Sequence, residues 1–181
     1  MSEARGDTMQ VCGPSVSEDR LIDMYRAQPD QPTPWVSITD QVMGGISSAR
    51  LENGQHGGSA CTRLTGRTRL ENNGGFVQMK LDIEPAQALA DFRGVFLELC
   101  GPAHAYDLRL KTTQLEKPWQ SFRGDLQVEP HWTRFLIAFA DLQAHRTNAA
   151  LDPSSIRSMA VVAIGEVFDV DVCVRRAGFY L

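Results

Sequence analysis

The sequence predicts an all-β fold, an antiparallel β-sandwich or jelly roll, because of the spacing of its apolar residues and its turns. Apolar and polar residues alternate in several short segments, and the clearest of these occupies residues 77–83. A period of two is typical of a strand with one buried face and one solvated face. Glycine pairs such as Gly57-Gly58 separate these segments, and strands do not alternate with long helical segments. The pattern therefore favours packed antiparallel sheets over an α/β fold.

Size and composition are those of one globular domain. The chain has 181 residues, 43% of them hydrophobic and 22% charged, which is enough to build a core without disulfides or metals. The net charge of −4 argues against nucleic-acid binding by phosphate neutralisation. No apolar run reaches the roughly 20 residues of a transmembrane helix, and neither a signal peptide nor a transit peptide is evident. We therefore expect a cytoplasmic protein of bacterial type that binds no nucleic acid and has no transmembrane segment.

The first 34 residues differ from the rest of the chain. Residues 1–14 are polar and aperiodic, which predicts a disordered tail. Ser15 and Glu18 form a capping-box pattern, which predicts a short N-terminal helix over residues 15–27. Three prolines in residues 28–34 then end that helix and form an extended lead-in. The predicted domains are a disordered tail (1–14), a helix and Pro-rich lead-in (15–34) and a β-sandwich domain (35–181).

About nine or ten strands are predicted in the sandwich domain. Residues 135–140 and 159–164 are apolar on both faces, which indicates central strands. Turns are predicted at Asn53-Gly54 as well as at the Gly57-Gly58 pair. The predicted strands are residues 35–40, 47–52, 62–70, 77–84, 106–111, 120–128, 135–140, 159–164 and 170–175.

No catalytic or cofactor-binding motif is present in the sequence. It lacks the GxSxG, HExxH, P-loop and GxGxxG patterns. Cys12, Cys61, Cys100 and Cys173 are scattered without a CxxC pair, which predicts four free thiols in a reducing compartment. We therefore expect no enzyme, no catalytic residue, no metal and no cofactor. An enzyme with an unrecognised site is the alternative, since catalytic groups can converge in space from distant positions.

Two glycine-rich segments are the candidate partner-binding loops. The first runs from Asp40 through Met43, Gly44 and Gly45 to Ser47. Paired glycines permit positive φ and leave backbone amides uncovered, and Asp40 and Ser47 can accept hydrogen bonds from such amides. The segment is therefore either a loop tied to itself or a surface that presents Met43 to a partner.

The second candidate loop contains Asn72, Asn73, Gly74, Gly75 and Phe76 and precedes the clearest predicted strand. Asn73-Gly74 predicts a type I′ hairpin turn because both residues tolerate positive φ. A turn does not account for Asn72, Gly75 and Phe76. We therefore expect the two loops to lie side by side and to form one site.

Both loops also carry a resemblance to a known family. The Val-Met-Gly-Gly motif at residues 42–45 and the Asn-Asn-Gly-Gly-Phe motif at residues 72–76 resemble the complex I intermediate-associated protein family. The resemblance covers residues 35–181 and implies a galactose-binding-like β-sandwich. It also implies a non-catalytic, chaperone-like assembly factor whose partner is a protein client, such as a subunit or intermediate of respiratory complex I (NADH:ubiquinone oxidoreductase). Further matching landmarks are Gly94, Tyr106, Trp119 with Phe122, Trp132 and Gly178-Phe179.

The tryptophans suggest an alternative function, a carbohydrate-binding module-like domain. Trp35, Trp119 and Trp132 could together form a platform on which sugar rings stack. Aromatic side chains of a sandwich more often belong to its core, because each buries a large apolar area.

Two charged groups suggest further ligands. Arg63, Arg67 and Arg69 share one face of a predicted strand and could bind an acidic partner or phosphate, although a solvated outer face is the simpler interpretation. Asp169 and Asp171 could contribute to a structural calcium site. Neither the client nor the oligomeric state is specified by the sequence.

Overall fold

The computed structural model describes residues 9–84 and 87–181, which form two facing β-sheets. The strands in this part of the chain are β1 (Gln10–Cys12), β2 (Leu21–Arg26), β3 (Val36–Thr39), β4 (Ser48–His56), β5 (Ser59–Arg67), β6 (Phe76–Asp82), β7 (Gly94–Cys100), β8 (His104–Thr112), β9 (Ser121–Val128), β10 (Thr133–Ala138), β11 (Gln143–His145), β12 (Ile156–Ile164) and β13 (Asp169–Tyr180). Sheet A has the order β1-β10-β7-β13-β5-β4, with β2 also paired to β13, and sheet B has the order β11-β9-β8-β12-β6-β3. The predicted β-sandwich is confirmed.

The core lies between the sheets and follows from the alternation in the sequence. In β6, Val77, Met79 and Leu81 point inward and are at most 3% exposed. Met159 of β12, the strand beside β6, and Leu108 of β8, the strand beyond it, belong to the same buried core. Burial of such side chains is the main stabilising contribution, about 1.5–3 kcal/mol for each large apolar residue.

The short helix predicted over residues 15–27 is wrong. Glu18–Arg20 form a single 3₁₀ turn, and Leu21–Arg26 form strand β2, which pairs with the second half of β13. An isolated helix of this length is only marginally stable in water. Residues 176–180 of β13 extend past the end of its pairing with β5 and offer backbone hydrogen bonds to β2 instead. Tertiary pairing therefore decides the structure of this segment.

Part of the predicted N-terminal tail also differs from expectation, whereas the lead-in contains no regular element, as expected. Residues 1–8 of the predicted disordered tail lie outside the described residues. Gln10–Cys12, within the same predicted tail, form β1 and pair in parallel with β10. Residues 28–35 contain neither helix nor strand, and the carbonyl of Gln31 accepts a hydrogen bond of 2.6 Å from the Asn53 side chain.

Turn predictions succeeded only in part. Gly57 and Gly58 form the β4–β5 turn with φ angles of 55° and 78°, as a type I′ hairpin requires. Asn53-Gly54 lies inside β4, paired with Thr62 and Cys61, so the turn predicted there is wrong. In residues 9–84 and 87–181, no helix has the length and apolar character needed to cross a membrane.

Candidate functional site

Three connections between the sheets meet at one end of the sandwich, which we call the loop end. They are the β3–β4 connection (residues 40–47), the β5–β6 connection (68–75) and the β12–β13 connection (165–168). Phe76 at the start of β6 pairs with Ile164 at the end of β12, which brings the second and third connections together. The two candidate loops lie side by side, as predicted.

Asp40 joins the first two connections and is fully buried. Its Oδ1 accepts a hydrogen bond of 2.9 Å from the Ser47 amide, and its Oδ2 accepts one of 2.5 Å from the Ser47 hydroxyl. Across the gap between the connections, Oδ2 also accepts from the amides of Gly75 at 2.6 Å and Phe76 at 3.4 Å. One carboxylate therefore holds both candidate loops in a single conformation.

These hydrogen bonds also determine the charge of Asp40. Burial raises the pKa of its carboxyl group, but the hydrogen bonds from Ser47, Gly75 and Phe76 outweigh burial and hold the pKa below its ordinary value. The carboxylate is ionised at neutral pH with both oxygens occupied, so its role is to position the loops.

Glycines surround Asp40 for two different reasons. Gly44, with φ of 86°, and Gly75, with φ of 124°, adopt backbone conformations that side chains rarely permit. Gly45 and Gly74 do not have positive φ, but a Cβ atom at either position would collide with the Asp40 carboxylate. The close approach of the carboxylate, and not backbone φ, explains these two glycines.

The hairpin turn predicted at Asn73-Gly74 is wrong. Strands β5 and β6 belong to different sheets, and the residues with positive φ are Asn72 at 59° and Asn73 at 57°, whereas Gly74 has φ of −78°. Asparagine is among the few residues that adopt this conformation readily. The Asn72 side chain donates a hydrogen bond of 3.1 Å to the carbonyl of Gly44, a second link between the loops.

The third connection is tied to the second. The amide of Gly165 donates to the carbonyl of Gly75 at 3.2 Å. The Thr68 hydroxyl donates to the Glu166 carbonyl at 2.5 Å and accepts from the Phe168 amide at 2.9 Å. All three connections therefore form one hydrogen-bonded frame.

Apolar side chains project from this frame into solvent. Of the ten exposed large hydrophobic residues in the described part of the chain, six lie on or beside the three connections. Met43 is 63% exposed, and the adjacent Val42 is 72% exposed. Of these exposed residues, only Met43 is among the predicted partner-binding residues, although apolar residues beside glycines in a loop are a usable signal in the sequence. We call the six residues the apolar patch: Val42, Met43, Ile46, Leu70, Ile164 and Val167.

The arginines and aspartates considered as ligand-binding groups all form ion pairs. Pairing of β5 with β13 places Arg67 opposite Asp169 and Arg63 diagonal to Asp171 on the outer face of sheet A. Neither a free basic stripe nor a pair of available calcium ligands results from these residues. The ion pairs are Arg63 with Asp171 at 2.7 Å, Arg67 with Asp169 at 2.6 Å and Arg69 with Glu71 at 2.5 Å.

The three tryptophans do not form a platform. Trp35 and Trp132 are buried, with 3% and 5% exposure, whereas Trp119 is 54% exposed in the β8–β9 connection. Only Trp119 presents its indole ring to solvent.

A cavity of about 400 Å³ lies on the outer face of sheet A, lined in part by Arg134, Arg175 and Arg176. Arg175 and Arg176 are consecutive in β13, and a register shift after Val174 allows both side chains to project from the same face. Glu98 is only 2% exposed and forms ion pairs with Arg134 at 2.6 Å and with Arg175 at 2.7 Å. The buried charges are paired, and the cavity contains no free acid or base suited to catalysis.

Comparison with known proteins supports the same fold. The family model described as Complex I intermediate-associated protein 30 (CIA30) matches residues 25–171. A search of curated protein sequences gave no match.

Solved structures similar to this chain include carbohydrate-binding modules. The family 11 module from Clostridium thermocellum, in complex with a β-1,3-1,4-mixed-linked tetrasaccharide, has a TM-score of 0.69 and 10% identity, covering 89% of this chain and 94% of the module. The family 30 module of a cellulosomal cellulase of the same organism has a TM-score of 0.60 and 13% identity, covering 87% of this chain and 95% of the module. At such low identity the similarity shows the fold alone.

Proposed function

Because this chain belongs to the complex I intermediate-associated protein 30 family, we propose that it is a non-catalytic, chaperone-like assembly factor that binds a protein client at the loop end. The proposed client is a subunit or an assembly intermediate of a respiratory complex, as the family description suggests. The apolar patch is the observation that carries this proposal.

Contiguous exposed apolar groups are uncommon on soluble domains and often mark interaction surfaces. The six residues of the apolar patch lie on or beside three connections that hydrogen bonds hold together. A frame that is already ordered lowers the entropy cost of binding. Met43, at the exposed tip of the first connection, has a flexible and polarizable side chain that can adapt to a client surface.

The ten residues predicted to bind a partner divide into two roles in this proposal. Those at the surface contact the client, and those underneath hold the loops in position. Exposed members are Met43, Gly44, Asn72 and Asn73; partly exposed members are Gly74 and Phe76; buried members are Asp40, Gly45, Ser47 and Gly75.

The two alternatives have less support at this site. An enzyme would need a reactive group with access to substrate, whereas Asp40 is buried with both oxygens occupied. A sugar platform made of all three tryptophans is not formed, because Trp35 and Trp132 belong to the interior.

Substitution of Met43 by aspartate tests the proposal. Met43→Asp places a charge in the apolar patch, and we expect the melting temperature to stay within about 2–4 °C of wild type, the shift for about 1 kcal/mol in a domain of this size. Client recovery from native cells, measured by pull-down and mass spectrometry, should fall sharply. Leu89→Asp is the matched control, because Leu89 is 46% exposed in the β6–β7 connection, at the opposite end of the sandwich.

The proposal is supported if respiratory-complex proteins are recovered with wild type and Leu89→Asp but lost with Met43→Asp. Equal recovery with both variants would remove the loop end from the interface. A large fall in the melting temperature of Met43→Asp would instead assign Met43 a structural role.

A further inference from the structure

The outer face of sheet B carries more cations than carboxylates. The four central strands of the sheet (β9, β8, β12 and β6) carry five cations and three carboxylates on this face or its edge, although the whole chain has a net charge of −4. Coulomb repulsion among cations on one face favours an anionic ligand. The cations, which we call the basic face, are Lys80, Arg109, Lys111, Arg123 and Arg157; the carboxylates are Asp82, Asp107 and Asp125.

Strand register brings the basic face together. Ala160 of β12 pairs with Lys80 of β6 on one side and with Arg109 of β8 on the other. Arg109 in turn pairs with Arg123 of β9. Lys111 lies two residues further along β8 and therefore on the same face. Four strands thus contribute to one continuous outer surface.

The carboxylates neutralise only part of this charge. Asp107 forms ion pairs with both Arg109 at 2.8 Å and Arg123 at 3.2 Å. Asp82 pairs with Lys80 at 2.9 Å. Arg123 also pairs with Asp125 at 3.4 Å, so all three carboxylates are engaged. The positive charge that remains belongs to Lys111 and Arg157, for which the described residues supply no ion pair.

Lys111 has no carboxylate partner among the described residues. Its ammonium group donates a hydrogen bond to the carbonyl of Pro118. Burial, together with the charges of Arg157, Lys80 and Arg109, lowers the pKa of Lys111 below its ordinary value. An anion placed here would relieve this repulsion and satisfy the remaining donors of the ammonium group.

An exposed aromatic ring is close to Lys111 through the hydrogen bond to Pro118. Along β12, the outward-facing Ser158, Ala160 and Val162 are at most 6% exposed, because longer side chains of β6 and β8 cover them. Trp119 is 54% exposed and directly follows Pro118, whose carbonyl accepts the hydrogen bond from Lys111. A sugar ring can stack its apolar C–H face on an indole and turn its hydroxyl groups to polar side chains.

We propose that the outer face of sheet B binds an acidic oligosaccharide, with uronate carboxylates at Lys111 and the neighbouring arginines and one sugar ring on Trp119. An extended acidic peptide that binds by backbone pairing at a sheet edge does not fit this face. Strands β12 and β8 are paired on both sides and offer no free backbone ladder. This site is separate from the loop end.

Calorimetric titration with an oligogalacturonate at low salt tests the proposal, with its fully methyl-esterified form as the uncharged counterpart. We expect saturable binding of the acidic form only, weakened by added salt. Lys111→Met keeps the aliphatic stem and removes the charge, and Trp119→Ala removes the stacking surface; each should weaken binding about tenfold. Lys117→Met, an exposed lysine of the same connection, is the matched control and should change affinity less than about twofold.

Three outcomes would overturn the proposal. They are no binding of the oligogalacturonate, unchanged affinity in Lys111→Met or Trp119→Ala when both remain folded, and equal binding of a polyglutamate peptide. The Met43→Asp variant should bind the oligogalacturonate normally. A failure at the loop end and a failure on the basic face are therefore distinguishable.

Discussion

Removal of the Asp40 carboxylate is the most direct test of how the loop end is built. In Asp40→Ala the buried amides of Ser47 and Gly75 lose their acceptor, which sits at 2.9 and 2.6 Å in the native protein. We expect this to lower the free energy of unfolding by about 3–5 kcal/mol, the scale of buried donors left without a charged partner. Asp40→Asn keeps one oxygen, so its best orientation loses only the bond from the Ser47 amide and costs about 1.5–3 kcal/mol.

The pH dependence of the free energy of unfolding provides a second test of the role of Asp40. The folded-state pKa of Asp40 lies below the unfolded value of about 3.9, so its stabilising contribution is complete above that value. It is lost as the pH falls through the folded-state pKa. The stability difference between wild type and Asp40→Asn should therefore be constant near neutrality and shrink below about pH 4.

Urea denaturation of wild type, both Asp40 variants and Asp125→Asn provides the measurement. Asp125 is a suitable control because its side chain is 94% exposed, and its substitution should change stability by less than about 0.5 kcal/mol. Equal stability of wild type and Asp40→Ala would refute the argument that this carboxylate holds the loops. So would a difference that grows as the pH is lowered.

Three further expectations concern other parts of the fold. In the native protein, a thiol reagent should react rapidly only with the exposed Cys12. After denaturation without reductant it should react with all four cysteines, and a total of two reactive thiols or none would show disulfides. Gly45→Ala should lower the free energy of unfolding, measured by urea denaturation, by about 1–3 kcal/mol, because its Cβ meets the Asp40 carboxylate. Gly44→Ala should cost less, because that position has open space and only an unfavourable φ, and the reverse order would contradict this. Burial raises the pKa of Tyr106 to about 12. The difference in the free energy of unfolding between wild type and Tyr106→Phe should therefore be constant below about pH 10 and fall as the pH rises towards 12. A difference that does not change with pH would contradict this.

Local sequence patterns predict the strands whose two faces differ in polarity and two strands, β10 and β12, that are apolar on both faces. Residues 77–83 alternate strictly, and the observed β6 (Phe76–Asp82) follows from that pattern. By contrast, β7 (Gly94–Cys100) is buried at every residue and shows no alternation. Its one charge, Glu98, is compensated by arginines from β10 and β13, which only the tertiary fold brings close.

The site was predictable in outline for a similar reason. Asp40 and the glycines pointed to a loop that a carboxylate could organise, and the structure shows that arrangement. The partner across the gap, the amide of Gly75, lies 35 residues away, so no local pattern specified it. The sequence suggests that Gly45 is needed for positive φ, whereas the folded chain requires it because a Cβ atom there would collide with the Asp40 carboxylate.

Strand β13 has consequences for any truncated form of this protein. One side of β13 pairs with β7, whereas the other side pairs first with β5 and then, over Arg176–Tyr180, with β2. A chain trimmed to begin at Trp35 would lose β2 together with Glu18 and Asp23, the carboxylates that pair with Arg176 at 2.6 and 2.9 Å. The exposed half of β13 would then be open to a strand from another molecule, the usual origin of edge-to-edge aggregation. Strand β2 therefore covers this edge of β13, although its residues lie within the segment that the sequence predicts to be a short helix.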